Sequence, residues 1–257
     1  MFDIVGFLIL GIRLASVNVI LAIGFTLVYG VGKVLNLAHG AFYMITGYIV
    51  FWSINSIGAG YEDPLSIWLS IIIGLGIVGL IAAVSYKLLM EPLQEHEIMV
   101  LIITFSLALF LESLFSTIKY VYFDTLNPII RDLVPGNFNF MGETLSNQYL
   151  LIIFGSLGII LFTILFIKKT KLGQSIRAVS QDREAAELCG INADRILLFT
   201  VVLSAIFAGI AAIFYVPIAK IEITYGWAIL TDAFAVVILG GLGSVKGSVV
   251  AAYIIGF

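Results

Sequence analysis

Long uncharged apolar runs, such as residues 98–110 and 150–167, constrain this chain more than any other feature. No water-exposed fold can cover that much apolar surface. Of 257 residues, 61% are hydrophobic and 11% charged, against about 45–50% and about 25% in soluble domains. Mean hydropathy is +1.14. The bilayer is therefore the solvent, and within it every backbone N–H and C=O must be satisfied internally, by helices or by a closed barrel. A barrel would show short segments of alternating polarity. The unbroken runs point instead to an all-α polytopic membrane protein.

A helix needs about 20 apolar residues to cross the hydrocarbon core. Seven candidate spans follow: 4–31, 34–54, 65–89, 98–120, 149–167, 196–218 and 231–257. The second carries Asn36, His39 and Gly40 near its start and is expected to be broken or only partly spanning. The seventh contains GGLGSVKG at 240–247, too flexible and polar for one regular helix. The chain is read as a single transmembrane domain, 1–257, of seven to eight helices, with a further helix expected after Phe257. Asp3 stands where a cleavable signal would carry Lys or Arg, so the first run is expected to remain as an anchor.

Lys and Arg set the expected orientation. With the N-terminus outside, Lys33, Lys87 and the cluster Lys168, Lys169, Lys171, Arg177, Arg183 and Arg195 are cytoplasmic, while Lys119, Arg131 and Lys220 lie outside. Two segments are long enough to be structured beyond the bilayer, the external 121–148 and the cytoplasmic 168–195. The net charge of −3 gives no sign of a nucleic-acid partner, and a lone cysteine, Cys189, offers neither a disulfide nor a metal-binding pair.

Within the cytoplasmic loop, residues 182–189 read as a short helix. Asp182 can cap it, Glu184, Ala185 and Ala186 fill it, and Gly190 suits the left-handed residue past its end. Held between two spans, such a helix can receive force from a soluble partner, or it can be an ordinary amphipathic loop helix. The Glu-Ala-Ala-x-x-x-Gly pattern resembles the core of the EAA loop of ABC importer membrane subunits, although the Leu-Pro of the fuller pattern is missing after Gly190. Three stretches extend the likeness: FTLVYGVGKVLNLAHGAFYMITGYI (25–49), KLGQSIRAVSQDREAAELCGIN (171–192) and AFAVVILGGLGSVKGSVVAA (233–252). In order and spacing they resemble the permeases of branched-chain amino acid ABC transporters of the LivH type, with urea and short-amide permeases as close relatives.

The resemblance implies several partners. They are ATP-binding cassette subunits docking on the 182–190 helix, a second permease subunit (LivM-like, or a copy of this chain), and an external substrate-binding protein. It also implies that ATP and Mg are bound by the partner ATPase. This sequence has no Gly-x-x-x-x-Gly-Lys-Ser/Thr phosphate loop of its own.

Two polar stripes are candidate linings of a translocation path. In the second span Asn36, Gly40, Tyr43 and Gly47 share one helical face, with His39 beside them. Polar groups in membrane helices face the bundle interior or a water-filled cavity, whereas glycines equally serve close helix packing. In the fourth span Thr104, Ala108, Glu112 and Ser116 repeat every four residues. Glu112 lies about 21 Å of helix rise past Ile98, where a carboxylate must be paired or protonated. Lys119 or Arg13 is its expected structural partner, and a substrate ammonium the alternative. Arg13 and Asn18 interrupt the first span. Asp232 is expected near a helix N-terminus, which favours an acid.

The rival readings are a stand-alone secondary transporter or channel, with Glu112 or His39 carrying protons, and an intramembrane enzyme. The enzyme is disfavoured because no Ser/His pair, paired aspartates or metal-ligand set recurs on facing helices.

Overall fold

At the centre stand three helices whose apolar sequences are interrupted by small and polar residues. The computed structural model describes residues 4–57, 61, 63–122, 130–140, 143–219 and 221–257. The helices are α1 Ile4–Gly32, α2 His39–Ser56, α3 Pro64–Ser85, α4 Glu97–Tyr122, α5 Asn147–Lys169, α6 Lys171–Gln181, α7 Arg183–Leu188, α8 Ala193–Tyr215, α9 Tyr225–Gly240 and α10 Val245–Gly256. An antiparallel hairpin, β1 Asn137–Phe140 and β2 Glu143–Ser146, precedes α5. Asp3, Lys220 and residues 123–129 of the expected external segment lie outside the described residues.

α8 packs against α1, α2 and α3, and α1 also meets α5, α9 and α10. α4 leans mainly on α2 and the turn after α3. The outer helices are inverted relative to a soluble protein. α3 exposes Leu65, Trp68, Ile72 and Leu80, α4 exposes Ile98, Ile102 and Phe110, and α5 exposes Phe154, Leu161 and Phe162. Lipid tails are the only solvent such faces accept.

Five helical stretches are long and apolar enough to cross a membrane: Gly6–Gly32, Pro64–Leu93, Glu97–Val121, Asn147–Lys169 and Ala193–Tyr215. The bent pair α9 and α10 makes a sixth if taken as one span. The shortfall from seven is α2. It begins only at His39, five residues later than its apolar run, and its 18 residues carry His39, Tyr43, Tyr48 and Asn55. Thirteen of the 18 are buried, so neighbouring helices rather than lipid surround it, and high apolarity is not required of it.

The expected break in the last segment is present, with different bounds. α9 starts at Tyr225 and α10 turns away from it by 119°. At 16 and 12 residues the two rise about 24 and 18 Å, each short of the roughly 30 Å core. Glycine makes this turn possible in two ways. Gly241 and Gly243 hold φ of +88° and +87°, a region closed to most side chains. A Cβ on Gly247 would lie 1.7 Å from the Gly240 carbonyl oxygen, so the two helices cross backbone on backbone. Asp232 therefore sits two turns inside α9, not at its N-terminus.

Helix direction groups the loops at two ends. Residues 33–38, 86–96 and 168–192 share one end, confirmed by the Gln94–Asp194 hydrogen bond across it, and the tip of the α9–α10 turn reaches it at Gly30. That end holds Lys33, Lys87 and the whole basic cluster of 168–195. Residues 57, 61, 63, 130–140, 143–146, 216–219 and 221–224 share the other.

Candidate functional site

Two groups of residues carry the functional expectations: the short helix at the basic end, and the polar residues inside the bundle.

At the basic end the chain leaves α5 through Thr170, whose hydroxyl accepts from Gly173 N–H at 2.9 Å and caps α6. A Cβ on Gly173 would lie 2.3 Å from the Phe166 carbonyl oxygen, so only glycine allows α6 to fold back against α5. α6 lays Ile176 and Val179 against the body. Asp182 then ends α6 and caps α7, its carboxylate accepting from Ala185 N–H at 3.0 Å. α7 closes by a two-bond C-terminal motif. Ile191 N–H donates to the Ala186 carbonyl at 3.0 Å and Gly190 N–H to the Glu187 carbonyl at 2.9 Å, with Gly190 left-handed at φ +84°.

Only Ala186 of the Glu184-Ala185-Ala186 set is buried. Glu184, Ala185 and Glu187 face outward, and Leu188 is 90% exposed. An exposed leucine on a charged, water-side helix is the residue missed in the sequence, although its apolarity amid charges was visible there. Arg183 ties the helix down: its Nη2 donates to Asp194 Oδ1 at 2.7 Å and its Nε to Glu187 Oε1 at 3.2 Å. Gln94 donates to the same Asp194 oxygen at 2.9 Å. One aspartate thus links α7, the first turn of α8 and the α3–α4 turn.

Inside the bundle, the expected stripe on the second span divides among separate tasks. Asn36 is buried and its Oδ1 accepts from Ala38 N–H at 3.0 Å, shaping the turn into α2. Thr104 accepts from Leu37 N–H at 3.2 Å and donates to the Leu101 carbonyl at 3.1 Å, fastening that turn to α4. His39, 1% exposed, reaches two other helices. Its Nε2 lies 3.1 Å from the Leu21 carbonyl and its Nδ1 3.0 Å from Ser204 Oγ. A carbonyl only accepts, so Nε2 bears the proton, and in the neutral ring Nδ1 accepts a hydrogen bond from the Ser204 hydroxyl. Both ring nitrogens are spent on structure.

Gly40 is a crossing point. A Cβ there would stand 2.1 Å from the Gly226 carbonyl oxygen, so α2 and α9 touch through their backbones, as small residues permit in lipid. Tyr43, one turn on, is buried and borders a small pocket with Val216, Ile221 and Tyr225.

Glu112 takes its hydrogen bond neither from Lys119 nor from Arg13 but from the Trp227 indole, Nε1 to Oε2 at 2.5 Å. Arg13 lies over the ring of Tyr149, 4.8 Å from its centroid. The sequence could not show this pairing, because Glu112 and Trp227 are 115 residues apart. Glu112, Trp227, Ala108 and Gly40 border one narrow cleft between α2, α4 and α9. Of the two candidate stripes, Gly40, Ala108 and Glu112 are brought together there. Among the described residues, no group of three or more His, Cys, Asp or Glu could hold a metal ion.

A polytopic bundle with a buried, glycine-crossed core, a broken last span and a capped helix offered at its basic end is a membrane transport subunit in architecture. The chain belongs to the family described as branched-chain amino acid transport system / permease component, whose model matches residues 7–257. It is 30% identical to the high-affinity branched-chain amino acid transport system permease protein BraD of Pseudomonas aeruginosa, over 97% of this chain and 83% of that protein. It is 28% identical to LivH of Escherichia coli, a permease protein of the same kind of system, over 96% and 82%. It is also 28% identical to the fructose import permease protein FruG of Bifidobacterium longum, over 90% and 69%. No solved structure matches the chain.

Proposed function

We propose that this chain is the membrane-spanning subunit of an ATP-driven importer of branched-chain or other small amino acids. It works with ATP-binding cassette subunits at its basic end, a second permease subunit and an external binding protein. The observation that carries the reading is α7: a helix of six residues, capped at both ends, presenting Glu184, Ala185 and an almost fully exposed Leu188. An isolated leucine side chain in water forgoes about 1.5–3 kcal/mol of burial, which a partner surface would recover. ATP and Mg belong to that partner.

Force applied to α7 has a defined route. Through Asp194 it reaches α8, and through Gln94 the α3–α4 turn. α8 packs on α1, α2 and α3, so displacing its first turn moves the core helices. The exposed Arg183–Asp194 pair contributes at most about 1 kcal/mol; it fixes direction rather than stability. The basic end faces the cytoplasm by the positive-inside rule, which places the N-terminus outside. An impermeant thiol reagent tests this: with Cys189 replaced, Lys171→Cys should label only in inverted vesicles, and labelling in intact cells reverses the orientation.

Leu188→Glu tests the coupling. The variant should insert and purify like the parent, lose the ATPase subunit on copurification by about tenfold, as a loss of about 1.4 kcal/mol predicts, and support little uptake. Full retention of the ATPase and of amino acid uptake would remove α7 from the coupling role.

A further inference from the structure

Away from both groups, a cavity of about 170 Å³ opens between α1, α9 and the end of α10, bordered by Leu14, Val17, Asn18, Ile229, Asp232 and Ile255, with Tyr215 and Tyr225 at its side. A single water needs roughly 10–15 Å³ measured this way, so the space admits a small organic molecule. It lies in the half of the bundle away from the basic end, where α8 ends and α9 begins.

Its two most polar groups make no hydrogen bond among the described residues. Asn18 is only 8% exposed, yet its amide has no hydrogen-bond partner among the described residues, and it borders the cavity. Asp232 is exposed and borders the same space, seven residues into α9 from Tyr225, and it too has no ion pair or hydrogen bond among the described residues. A carboxylate at this depth needs a counter-charge. Arg13, the neighbouring cation on α1, lies instead over the Tyr149 ring.

The remaining lining separates cleanly by chemistry. Leu14, Val17, Ile229 and Ile255 are branched aliphatics. The rings of Tyr215 and Tyr225 stack at 6.2 Å with 13° between planes, and Tyr225 O–H donates to Tyr215 Oη at 3.3 Å. That leaves the Tyr215 O–H free to donate. A cavity with a carboxylate and an amide oxygen at one part, a spare hydroxyl donor beside them and four branched side chains around the rest matches one ligand class.

We infer that this cavity is a binding station for a branched aliphatic ammonium compound. The ammonium lies between Asp232 and Asn18 Oδ1, and the alkyl tail lies among Leu14, Val17, Ile229 and Ile255. The inference rests on the proposed amino acid cargo for its biological ligand, since an aliphatic amino acid carries both halves, and its own carboxylate can take the Tyr215 O–H. The chemistry of the cavity stands apart from that cargo.

The test begins on the unaltered chain assembled with its ATPase, permease partner and binding protein in proteoliposomes. A hydrophobic carbodiimide modifies carboxyl groups in apolar sites, and peptide mass spectrometry reads Asp232. Isobutylammonium should protect Asp232, slowing its modification about tenfold, the effect of one charge-assisted partner. 3-Methylbutanoate, the same isobutyl group carrying a carboxylate in place of the ammonium, should not. Equal protection by both, or by neither, overturns the inference without any variant.

Transport supplies the second arm. Asp232→Asn should cut ATP-driven leucine uptake about tenfold while ATPase stimulation by the loaded binding protein persists, and Asp232→Glu should restore most of it. Uptake by Asp232→Asn equal to the parent's overturns the station's role in transport. If the parent complex transports no amino acid, the proposed cargo is wrong, and the protection experiment alone decides the cavity.

Discussion

The turn around α7 and the junction around His39 are both rich in polar residues and glycine, and they use them in opposite ways. At α7 the polar groups end bonds within a single stretch of chain. Asp182 and Gly190 close a helix locally, and Glu184, Ala185, Glu187 and Leu188 between them are left facing out. At the junction, His39 spends both ring nitrogens on α1 and α8, Thr104 fastens the preceding turn, and Gly40 lies against Gly226 backbone to backbone. A polar residue whose bonding capacity is consumed inside the fold is structural. One that is held in place yet offers its surface is available for work.

The largest effect that could break this contrast is at Gly40. A methyl group there, 2.1 Å from the Gly226 carbonyl oxygen, must displace it by about 1.3 Å to reach ordinary contact, so Gly40→Ala should destabilise the bundle by about 3 kcal/mol, the upper part of the usual overpacking range. Thermal unfolding in detergent should show it, with folded yield falling. Gly76→Ala is the control, since a Cβ there meets nothing within 4 Å. If both variants behave alike, the Gly40–Gly226 crossing is not what holds α2 to α9.

His39→Leu comes next. It removes both interhelical bonds and leaves Ser204 without its imidazole partner, a loss of about 2 kcal/mol, softened because a helical serine can turn to its own backbone. The transport rate per folded molecule should stay close to the parent's. A stable variant that no longer transports would instead make His39 a working residue and erase the distinction from α7.

These two regions also differ in how far the sequence discloses them. The α7 turn is legible because its bonds are local: Asp182, Ala185 and Gly190 lie within nine residues, and capping chemistry has a short signature. The membrane class and six of the seven apolar segments are legible because twenty-residue hydrophobicity is a local property as well. The second, 34–54, is legible as a segment expected to be broken or only partly spanning, but not in its bounds: α2 starts at His39, and a helix enclosed by other helices need not look uniformly apolar. The partner of Glu112 hides for a related reason. Helical spacing brought Lys119 to the same face, but Trp227 arrives from a helix that follows 115 residues later, and nothing in the spacing of α4 indicates which neighbour covers it. Asp232 was visible as an acid beside an apolar run, yet its depth depended on α9 starting at Tyr225 rather than at 231.

Gly190→Val should act in the reverse sense to the bundle variants. Nothing lies within 4 Å of a Cβ at that position, so the cost is conformational, about 1–2 kcal/mol for a left-handed β-branched residue. It falls on a six-residue helix outside the membrane core, so detergent unfolding should be unchanged while ATPase copurification drops severalfold. Gly190→Asn, which tolerates this conformation better, should retain more of the complex. Should the valine variant unfold the bundle, α7 would belong to the structural class with His39.

The smallest effect is expected at Glu112, the residue that lies between the two behaviours. Its carboxylate is partly exposed in the α2–α4–α9 cleft and accepts one hydrogen bond, from Trp227. Glu112→Gln keeps an oxygen for the indole N–H and removes only the charge. A charge-assisted bond is roughly twice as strong as a neutral one, and a neutral bond contributes about 1 kcal/mol, so the loss should be near 1 kcal/mol. The α4–α9 contact should loosen slightly, with assembly and uptake retained. Trp227→Phe sharpens the result, because it leaves the carboxylate without its donor in a site of low polarity and should cost more than Glu112→Gln. If Glu112→Gln assembles normally, couples to ATP hydrolysis and yet stops uptake, the carboxylate contacts cargo, and the cleft it shares with Gly40 is part of the path rather than a packing seam.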